Sequence, residues 1–441
     1  MSAVATTLPG VGLSRPFAAL AALALKPFHA AINSPALIFL GALTAMLFRP
    51  PDLKTFPVDR IAVLFLLSIF ALRVCLRRDR LQAYAATWPM LALTVLSFVG
   101  VVQEADGPET WSLLAAKWIV PVVLFHIGGS VFCDQNSLRK LEIFSIVVLS
   151  YLALISVLFL IDARQLIFPR FILDESIGIH ADRARGPLLQ AVANGVCLNI
   201  LGLVALDSFR RRTLRKFWAL LLFISVPIAL LATRTRAVWL SAGLSVLFIA
   251  FFGHDRRLRK PALALCALAA VASCALFYDA GARELSDRLL DRSPVEFRLE
   301  MYRAGWQMFA EKPLAGWGSE GSVQPEIERR ISSFHPERYL FHNTYLELAV
   351  ERGILGIGLY AWLMVCLFRL SKTGAGDSTS AGHFLDGGFR RIWPVILAAY
   401  LLNASAVVMN YQFVNGYLFT LAGILSAQKF AMKQTADPIA R

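Results

Sequence analysis

Long apolar segments separated by short polar segments run through most of the chain. Each apolar segment is about 15 to 25 residues long, close to the roughly 20 residues that an α-helix needs to cross the hydrocarbon core of a bilayer. The pattern therefore predicts a series of transmembrane helices. The predicted blocks are 17–31, 35–49, 59–75, 85–102, 111–131, 143–161, 187–206, 217–233, 237–252, 261–278, 345–368, 392–409 and 413–430.

The first block is weaker than the others, because Lys26 interrupts it. It either spans the membrane or lies in the interface as an amphipathic helix. The remaining blocks predict an all-α polytopic membrane protein with about twelve transmembrane helices. A long, largely helical external loop separates the tenth and eleventh blocks. The chain then divides into N-terminal transmembrane helices at 1–278, the loop at 279–344, and C-terminal transmembrane helices with a cytoplasmic tail at 345–441.

Composition and charge agree with a membrane protein. The sequence is 57% hydrophobic and 17% charged, whereas soluble domains are about half apolar and a quarter charged. The net charge of +14 does not indicate a nucleic-acid partner, because the basic residues fall in short loops between apolar blocks. Alternating the blocks across the membrane puts these loops and both termini on one side, the cytoplasmic side by the positive-inside rule. The basic loops are 77–80, 139–140, 210–216, 256–260 and 369–391.

A histidine ends the long external loop, where the chain re-enters an apolar block. Thr344 and Glu347 have the spacing of a capping box, so we expect a helix to begin at His342 or Asn343. The positive end of the helix dipole then favours the neutral imidazole of His342, which is the form that a general base needs. This residue alone leaves two interpretations open, a hydrogen-bonded helix start and a catalytic base.

Several arginines are predicted at the same membrane face as His342. Arg234 and Arg236 lie in a turn between two apolar blocks that is too short to be a solvated loop. Arginines at such depth need an anionic partner, for which a phosphate is well suited, or they extend to the lipid headgroups. Arg298 and Arg303 lie in a helical pattern within the external loop. They either bind an anion or pair with glutamates nearby.

Two further cations are predicted at this face. Arg185 precedes the 187–206 block, and Lys117 lies one or two turns inside the 111–131 block. A lysine in a membrane block indicates a functional site unless its side chain extends to the interface. The sequence has no Gly-rich phosphate loop of Walker or Rossmann spacing and no carboxylate cluster for a metal. We therefore expect metal-free chemistry, with arginines in the role that Mg²⁺ has in many diphosphate enzymes.

Three stretches of the sequence resemble the motifs of one enzyme family. The first is the 233–236 turn with the block that follows it. The second is Arg298-x4-Arg303-x2-Trp306 with Pro313-Leu314-x-Gly316-x-Gly318, and the third is His342-Asn343-x-Tyr345-Leu346-Glu347-x3-Glu351-x-Gly353-x2-Gly356. In this order they resemble the O-antigen ligase and polymerase superfamily of bacterial envelope glycosyltransferases, over about a third of the chain.

The resemblance implies an activity. Such ligases move a glycan from undecaprenyl diphosphate to a sugar hydroxyl of the lipid A core, on the periplasmic side of the Gram-negative inner membrane, and no cofactor is expected. Thr235 stands where the family has a serine, which keeps the hydroxyl. The implied site comprises His342, Arg236 and Arg298 as catalytic residues, Arg234, Arg185, Arg303 and Lys117 as further donor-binding residues, and Asn343, Thr344 and Glu347 as helix-cap residues.

The sequence is also compatible with other functions. An O-antigen polymerase and a protein O-oligosaccharyltransferase share the donor chemistry, although protein-directed members usually carry more sequence outside the membrane. A secondary transporter would also have about twelve spans, but transporters tend to have internal repeats and polar groups at the midplane. The sequence has no internal repeat. A structural assembly partner would not need the arginines and the histidine in these places.

Overall fold

The structure is a computed structural model that describes residues 33–49, 57–103, 107–178, 181–252, 255, 257–265, 267, 293–331, 339–372 and 382–436. Within these ranges the chain consists of helices and connecting turns, and it forms no strand. The all-helical prediction is confirmed for them.

Fourteen α-helices are numbered here in chain order. A single π-helical turn, Ala115–Ile119, joins the fourth and fifth into one continuous helix. The helices are α1 Pro35–Leu47, α2 Val58–Cys75, α3 Thr87–Gln103, α4 Pro108–Leu114, α5 Val120–Val131, α6 Gln135–Leu160, α7 Ala191–Arg210, α8 Lys216–Ala232, α9 Arg236–Phe252, α10 Ser293–Glu311, α11 Glu320–Glu328, α12 Thr344–Phe368, α13 Gly387–Ala404 and α14 Gln412–Ala436.

The helices have the length and composition of a membrane protein. Among the described residues, four are long and apolar enough to cross a bilayer: Thr110–Val131, Gln135–Leu160, Ala191–Arg210 and Thr344–Ser371. Four shorter helices, α1, α3, α8 and α9, are also apolar. The count of about twelve spans stays a prediction, because the block at 17–31 and most of the block at 261–278 lie outside the described residues.

The helix ends gather at two opposite ends of the bundle. At the first, here called the His342 end, the Ala184 N–H donates to the Ala232 carbonyl (3.1 Å), and the Thr344 hydroxyl donates to the Val407 carbonyl (2.9 Å). At the second, the Arg211 end, the side chain of Arg211 at the end of α7 binds Glu142 near the start of α6 (2.7 Å). Helices α6, α7 and α8 therefore alternate in direction between the two ends.

Two sets of contacts hold the bundle together. Helices α5 and α14 pack closely through small residues: a Cβ at Gly129 would lie 2.9 Å from the Gly423 carbonyl oxygen. Small residues let membrane helices approach each other in this way. Helices α7, α9 and α13 share a buried polar contact, in which the amides of Asn199 (3.3 Å) and Asn403 (2.8 Å) both donate to the Ser241 hydroxyl. This second contact fixes α9 beside α13, which matters for the site.

Several predicted boundaries were wrong by more than one helical turn, and two of them have a bearing on the site and the cleft. Helix α6 begins at Gln135 rather than at 143, because the carboxylate of Asp134 caps it by accepting the N–H groups of Asn136 (2.9 Å) and Ser137 (3.0 Å). Helix α13 ends at Ala404 rather than at 409. An apolar run shows which part of a helix lies in the membrane. The helix itself can extend beyond that run through polar residues, up to the residue that caps it.

Candidate functional site

The turn between α8 and α9 contains the first of the family-like motifs. Its two threonines are buried, and their hydroxyls stay inside the turn, where Thr233 donates to the Leu230 carbonyl (2.7 Å) and Thr235 to the Thr233 carbonyl (3.0 Å). Arg234 ends the turn in the left-handed conformation (φ 48°), as is common one residue past a helix. The threonine hydroxyls thus stabilise a tight turn. Arg236 follows this turn at the start of α9, and its side chain is exposed.

Helix α10 contains the second motif. Its buried side, which includes Met301 and Met308, packs on the start of α12. Arg298 is half-buried and Arg303 is exposed, and neither is recorded in a hydrogen bond or ion pair with the residues that the structure describes. The alternative in which they pair with neighbouring glutamates therefore has no support among the described residues, and no described carboxylate neutralises their charges.

His342 precedes α12 in an unusual backbone conformation. Its φ of 49° lies in the left-handed region, which costs a non-glycine residue about 1–3 kcal/mol. His342 is half-buried and directly precedes Asn343, the cap of the helix. The Asn343 side chain accepts hydrogen bonds from the N–H groups of Tyr345 (2.9 Å) and Leu346 (3.1 Å). The helix begins where the sequence predicts, and the left-handed turn directs the chain into it.

The expected capping box was wrong in its details. Asn343 rather than Thr344 is the cap. The Thr344 hydroxyl instead donates to the Val407 carbonyl (2.9 Å) and accepts the N–H of Met409 (3.0 Å). Glu347 does not reach back to the helix start, because an ammonium group takes its carboxylate. Thr344 therefore fixes α12 to the turn between α13 and α14.

That ammonium group belongs to Lys117, which had been expected to bind the donor. Its Nζ atom lies 2.8 Å from Glu347 Oε1 and 4.0 Å from Glu351 Oε1, and the three side chains are about 14–15% exposed. The π-helical turn places Lys117 toward α12, and such turns often occur at functional sites. Because its ammonium group is paired with these carboxylates, Lys117 links its helix to α12, and donor binding by Lys117 stays a prediction.

A small cavity of about 30 Å³ adjoins this ion-pair cluster. Its polar lining includes Lys117, Glu347, Glu351, Tyr400 and Asn415, and the Tyr400 hydroxyl donates to the Asn415 side-chain carbonyl (2.8 Å). The space suits one or two water molecules. Sequence reasoning assigned no role to Glu351, although carboxylates four residues apart in an apolar helix indicate a buried cation partner.

Arg185 is also placed differently from the prediction. It is 1% exposed, and its guanidinium donates to three backbone carbonyls, those of Ile172 (3.0 Å), Ile177 (2.6 Å) and Asp174. These contacts fold the 172–185 segment onto the start of α7. Every guanidinium nitrogen has a backbone acceptor, so Arg185 has a structural role in this fold, and donor binding by Arg185 stays a prediction.

The second and third motifs contact each other directly. Helix α12 is interrupted at Gly353 (φ 61°, ψ −158°), a backbone region that is essentially restricted to glycine. Segment 313–318 fills the break: the N–H of Ile354 donates to the Pro313 carbonyl (2.8 Å), and the N–H of Trp317 donates to the Val350 carbonyl (2.8 Å). The close approach requires a second glycine, because a Cβ at Gly316 would lie 2.5 Å from the α12 backbone.

The turn at 405–411 connects the elements that carry the predicted catalytic residues. The Tyr302 hydroxyl, one helical turn after Arg298, donates to the Ser405 carbonyl (3.4 Å). Thr344, two residues after His342, bonds the same turn at Val407 and Met409. Helix α9, which starts at Arg236, packs along the end of α13.

The segments of Arg236, Arg298 and His342 therefore meet at one end of the bundle. Among the described residues, no group of three or more His, Cys, Asp or Glu side chains is arranged to hold a metal ion. What the arrangement offers chemically is two guanidinium groups for an anion and one imidazole for a proton.

Fold and site together describe a helical protein of membrane-protein composition, in which the elements that carry Arg236, Arg298 and His342 meet at one end of the bundle. Residues 218–361 match the family model described as O-antigen ligase. The matched range contains all three motifs, so the resemblance to the O-antigen ligase superfamily is confirmed. No curated protein matches the chain.

Proposed function

We propose that the protein is an O-antigen ligase. It transfers a glycan from undecaprenyl diphosphate to a sugar hydroxyl of the lipid A core, on the periplasmic face of the bacterial inner membrane, with both termini in the cytoplasm. The observation that supports this proposal most is the meeting of the Arg236, Arg298 and His342 segments around the 405–411 turn. These segments are distant in sequence, and all three lie in or directly beside the family match.

The arginines act on the leaving group. Arg236 and Arg298 have no ion-pair partner among the described residues, so no described carboxylate competes with the donor diphosphate for them. Guanidinium groups bind phosphate oxygens by paired hydrogen bonds. As the glycosidic oxygen leaves, negative charge grows on the diphosphate, and the arginines stabilise it. Arg234 and Arg303 add positive charge around the same region. The mechanism needs no metal ion.

The imidazole acts on the acceptor. Neutral His342 accepts the proton of the sugar hydroxyl while the oxygen attacks the anomeric carbon from the side opposite the diphosphate. The new C–O bond forms as the bond to the diphosphate breaks, so the configuration inverts and undecaprenyl diphosphate is released. A positioned general base contributes about 10²–10⁴-fold to such a step. The driving force lies in the diphosphate linkage, so no nucleotide is needed.

Transfer by the purified protein tests the proposal. The protein in lipid nanodiscs is given an undecaprenyl-diphosphate glycan and lipid A core without ATP, and products are resolved by mass spectrometry. We expect glycan on the core sugar. Arg236→Ala and Arg298→Ala should each lower the rate about 10²–10³-fold. Arg215→Ala should not, because this exposed arginine lies at the Arg211 end, before α8.

Other products identify the other family activities. Lengthening of the donor glycan would indicate a polymerase, and transfer to a peptide a protein O-oligosaccharyltransferase. Binding or uptake of the glycan without any transfer would contradict the enzyme assignment and favour a transporter. Full activity of both arginine variants would contradict the assigned site.

A further inference from the structure

A cleft of about 750 Å³ lies at the Arg211 end, across the bundle from His342. The cleft is lined by the first half of α6, from Gln135 to Val147, by the end of α7 with the segment that follows it, and by residues before α13. None of its lining residues belongs to the 218–361 family match, and the proposed transfer reaction does not use them. The cleft therefore requires its own explanation.

The carboxylates around the cleft already have partners. Glu142, the acidic residue of the lining, accepts hydrogen bonds from Arg211 (2.7 Å) and Thr213 (2.5 Å). Asp207 behind it binds Arg211 (2.7 Å). Both carboxylates are less than a tenth exposed. Asp134, at the start of α6, accepts backbone N–H groups as the helix cap. Arg211 therefore neutralises the buried carboxylates, whereas the exposed Asp134 keeps its charge and is not part of the cleft lining.

Two arginines of the lining lack such partners. Arg139 and Arg212 are exposed, and neither is recorded in a hydrogen bond or an ion pair within the part of the chain that the structure describes. With Arg211 and Glu142 paired to each other, the lining carries two positive charges in excess. His383 adds a polar group, with its Nε2 atom 2.8 Å from the Gln135 side-chain nitrogen. The mouth of the cleft is thus cationic.

The wall below the cationic mouth is apolar and open. Ile143 and Val147 are 53% and 60% exposed, and both line the cleft. They follow Arg139 at intervals of four residues, so the three side chains lie along one face of α6. At a rise of 1.5 Å per residue, Ile143 and Val147 lie about 6 and 12 Å further along the helix. A cationic mouth above an apolar wall matches a ligand with an anionic head and a hydrocarbon chain.

We propose that this cleft binds an anionic glycerophospholipid. Its phosphate lies between Arg139 and Arg212, and an acyl chain lies along Ile143 and Val147. Guanidinium groups suit phosphate oxygens, and the excess positive charge favours a headgroup with net negative charge over a zwitterionic one. Inorganic phosphate shares the headgroup chemistry but cannot use the apolar wall.

Lipid binding to the purified protein tests this assignment. Native mass spectrometry compares phosphatidylglycerol with phosphatidylcholine of the same acyl chains, and inorganic phosphate serves as a competitor. The test variant is Arg139→Ala/Arg212→Gly, in which glycine preserves the left-handed backbone at 212 (φ 64°). The matched control is Arg215→Ala/Arg259→Ala, which removes two exposed arginines of the same end outside the cleft.

We expect a preference for phosphatidylglycerol that falls about 30-fold in the test variant, since each arginine near an anionic headgroup contributes about fivefold. The control should retain the preference, and Ile143→Ser should weaken binding of the lipid. An equal loss in test and control variants, or an unchanged preference in the test variant, would overturn the proposal. So would inorganic phosphate that displaces the lipid at equal concentration, because the apolar wall would then contribute nothing. Thermal unfolding of each variant checks that it folds.

Discussion

Replacing Lys117 alone should destabilise the protein more than replacing Lys117 together with Glu347. The Nζ atom of Lys117 lies 2.8 Å from Glu347 Oε1 and 4.0 Å from Glu351 Oε1. Lys117→Met would leave two carboxylates without a cation inside an apolar helix. Deleting one partner of a buried pair typically costs about 3–5 kcal/mol. We expect a loss of this size in the free energy of unfolding.

The double variant Lys117→Met/Glu347→Gln should recover most of that loss. It removes one carboxylate together with the ammonium group, and contacting residues typically show coupling energies of about 0.5–3 kcal/mol. Unfolding by SDS in mixed micelles, followed by tryptophan fluorescence, measures each variant. Lys216→Met is the control, because this exposed lysine at the start of α8 forms no ion pair with a described residue. The unfolding free energy of this variant should stay within about 0.5 kcal/mol of that of the unsubstituted protein.

The transferase rate distinguishes a helix-linking role from a donor-binding one. If Lys117 links α5 to α12, the double variant regains transfer as it regains stability. A double variant that is stable but inactive would refute a purely helix-linking role of Lys117 and would support donor binding by this residue. A double variant as unstable as Lys117→Met alone would refute the ion-pair reasoning itself.

Three further predictions concern the entry to α12 and its interruption. Gly353→Ala should lower the unfolding free energy by at least about 2 kcal/mol, because a Cβ would contact the Leu314 carbonyl and the backbone is restricted to glycine; Gly358→Ala, in open space on the same helix, should not. His342→Asn should lower the transfer rate about 10²–10⁴-fold without destabilising the fold, because asparagine tolerates a left-handed backbone, and a stable variant with unchanged rate would refute its role as base. Asn343→Ala should cost about 1 kcal/mol through the lost cap, and an unchanged unfolding free energy would show that the cap is dispensable.

The sequence was sufficient for the all-helical fold of the described residues, because this follows from hydropathy. The number of spans and the membrane face at which His342 lies stay predictions. It was also sufficient for the start of α12 and for the turn that ends at Arg236. It was not sufficient for the partners of individual charges. Arg185 and Lys117 had the same sequence signature as the other cations, a basic residue near the edge of an apolar block. The structure separates them, because Arg185 meets three backbone carbonyls and Lys117 meets two carboxylates.

Partners are hidden from the sequence for a physical reason. Lys117 and Glu347 are separated by 230 positions in the chain, and only the packing of α12 against the π-helical turn before α5 brings them together. The glycines of the second and third motifs show the same limit. Each glycine by itself predicts a turn or the end of a helix. The sequence does not show that segment 313–318 hydrogen-bonds the backbone groups left free by the break at Gly353.

The charges that stay without recorded partners are therefore more informative than the total charge. Among the described residues, Arg236, Arg298 and Arg303 are such charges at the His342 end, and they lie in the elements that meet near the histidine. At the Arg211 end several cations share this property, but Arg139 and Arg212 differ from Arg215 and Lys216 because they line a cleft with an apolar wall. Leaving an arginine unpaired at a membrane boundary is unfavourable unless an anion reaches it. Two separate sets at opposite ends thus argue for two anionic ligands, a diphosphate donor at one end and a lipid headgroup at the other.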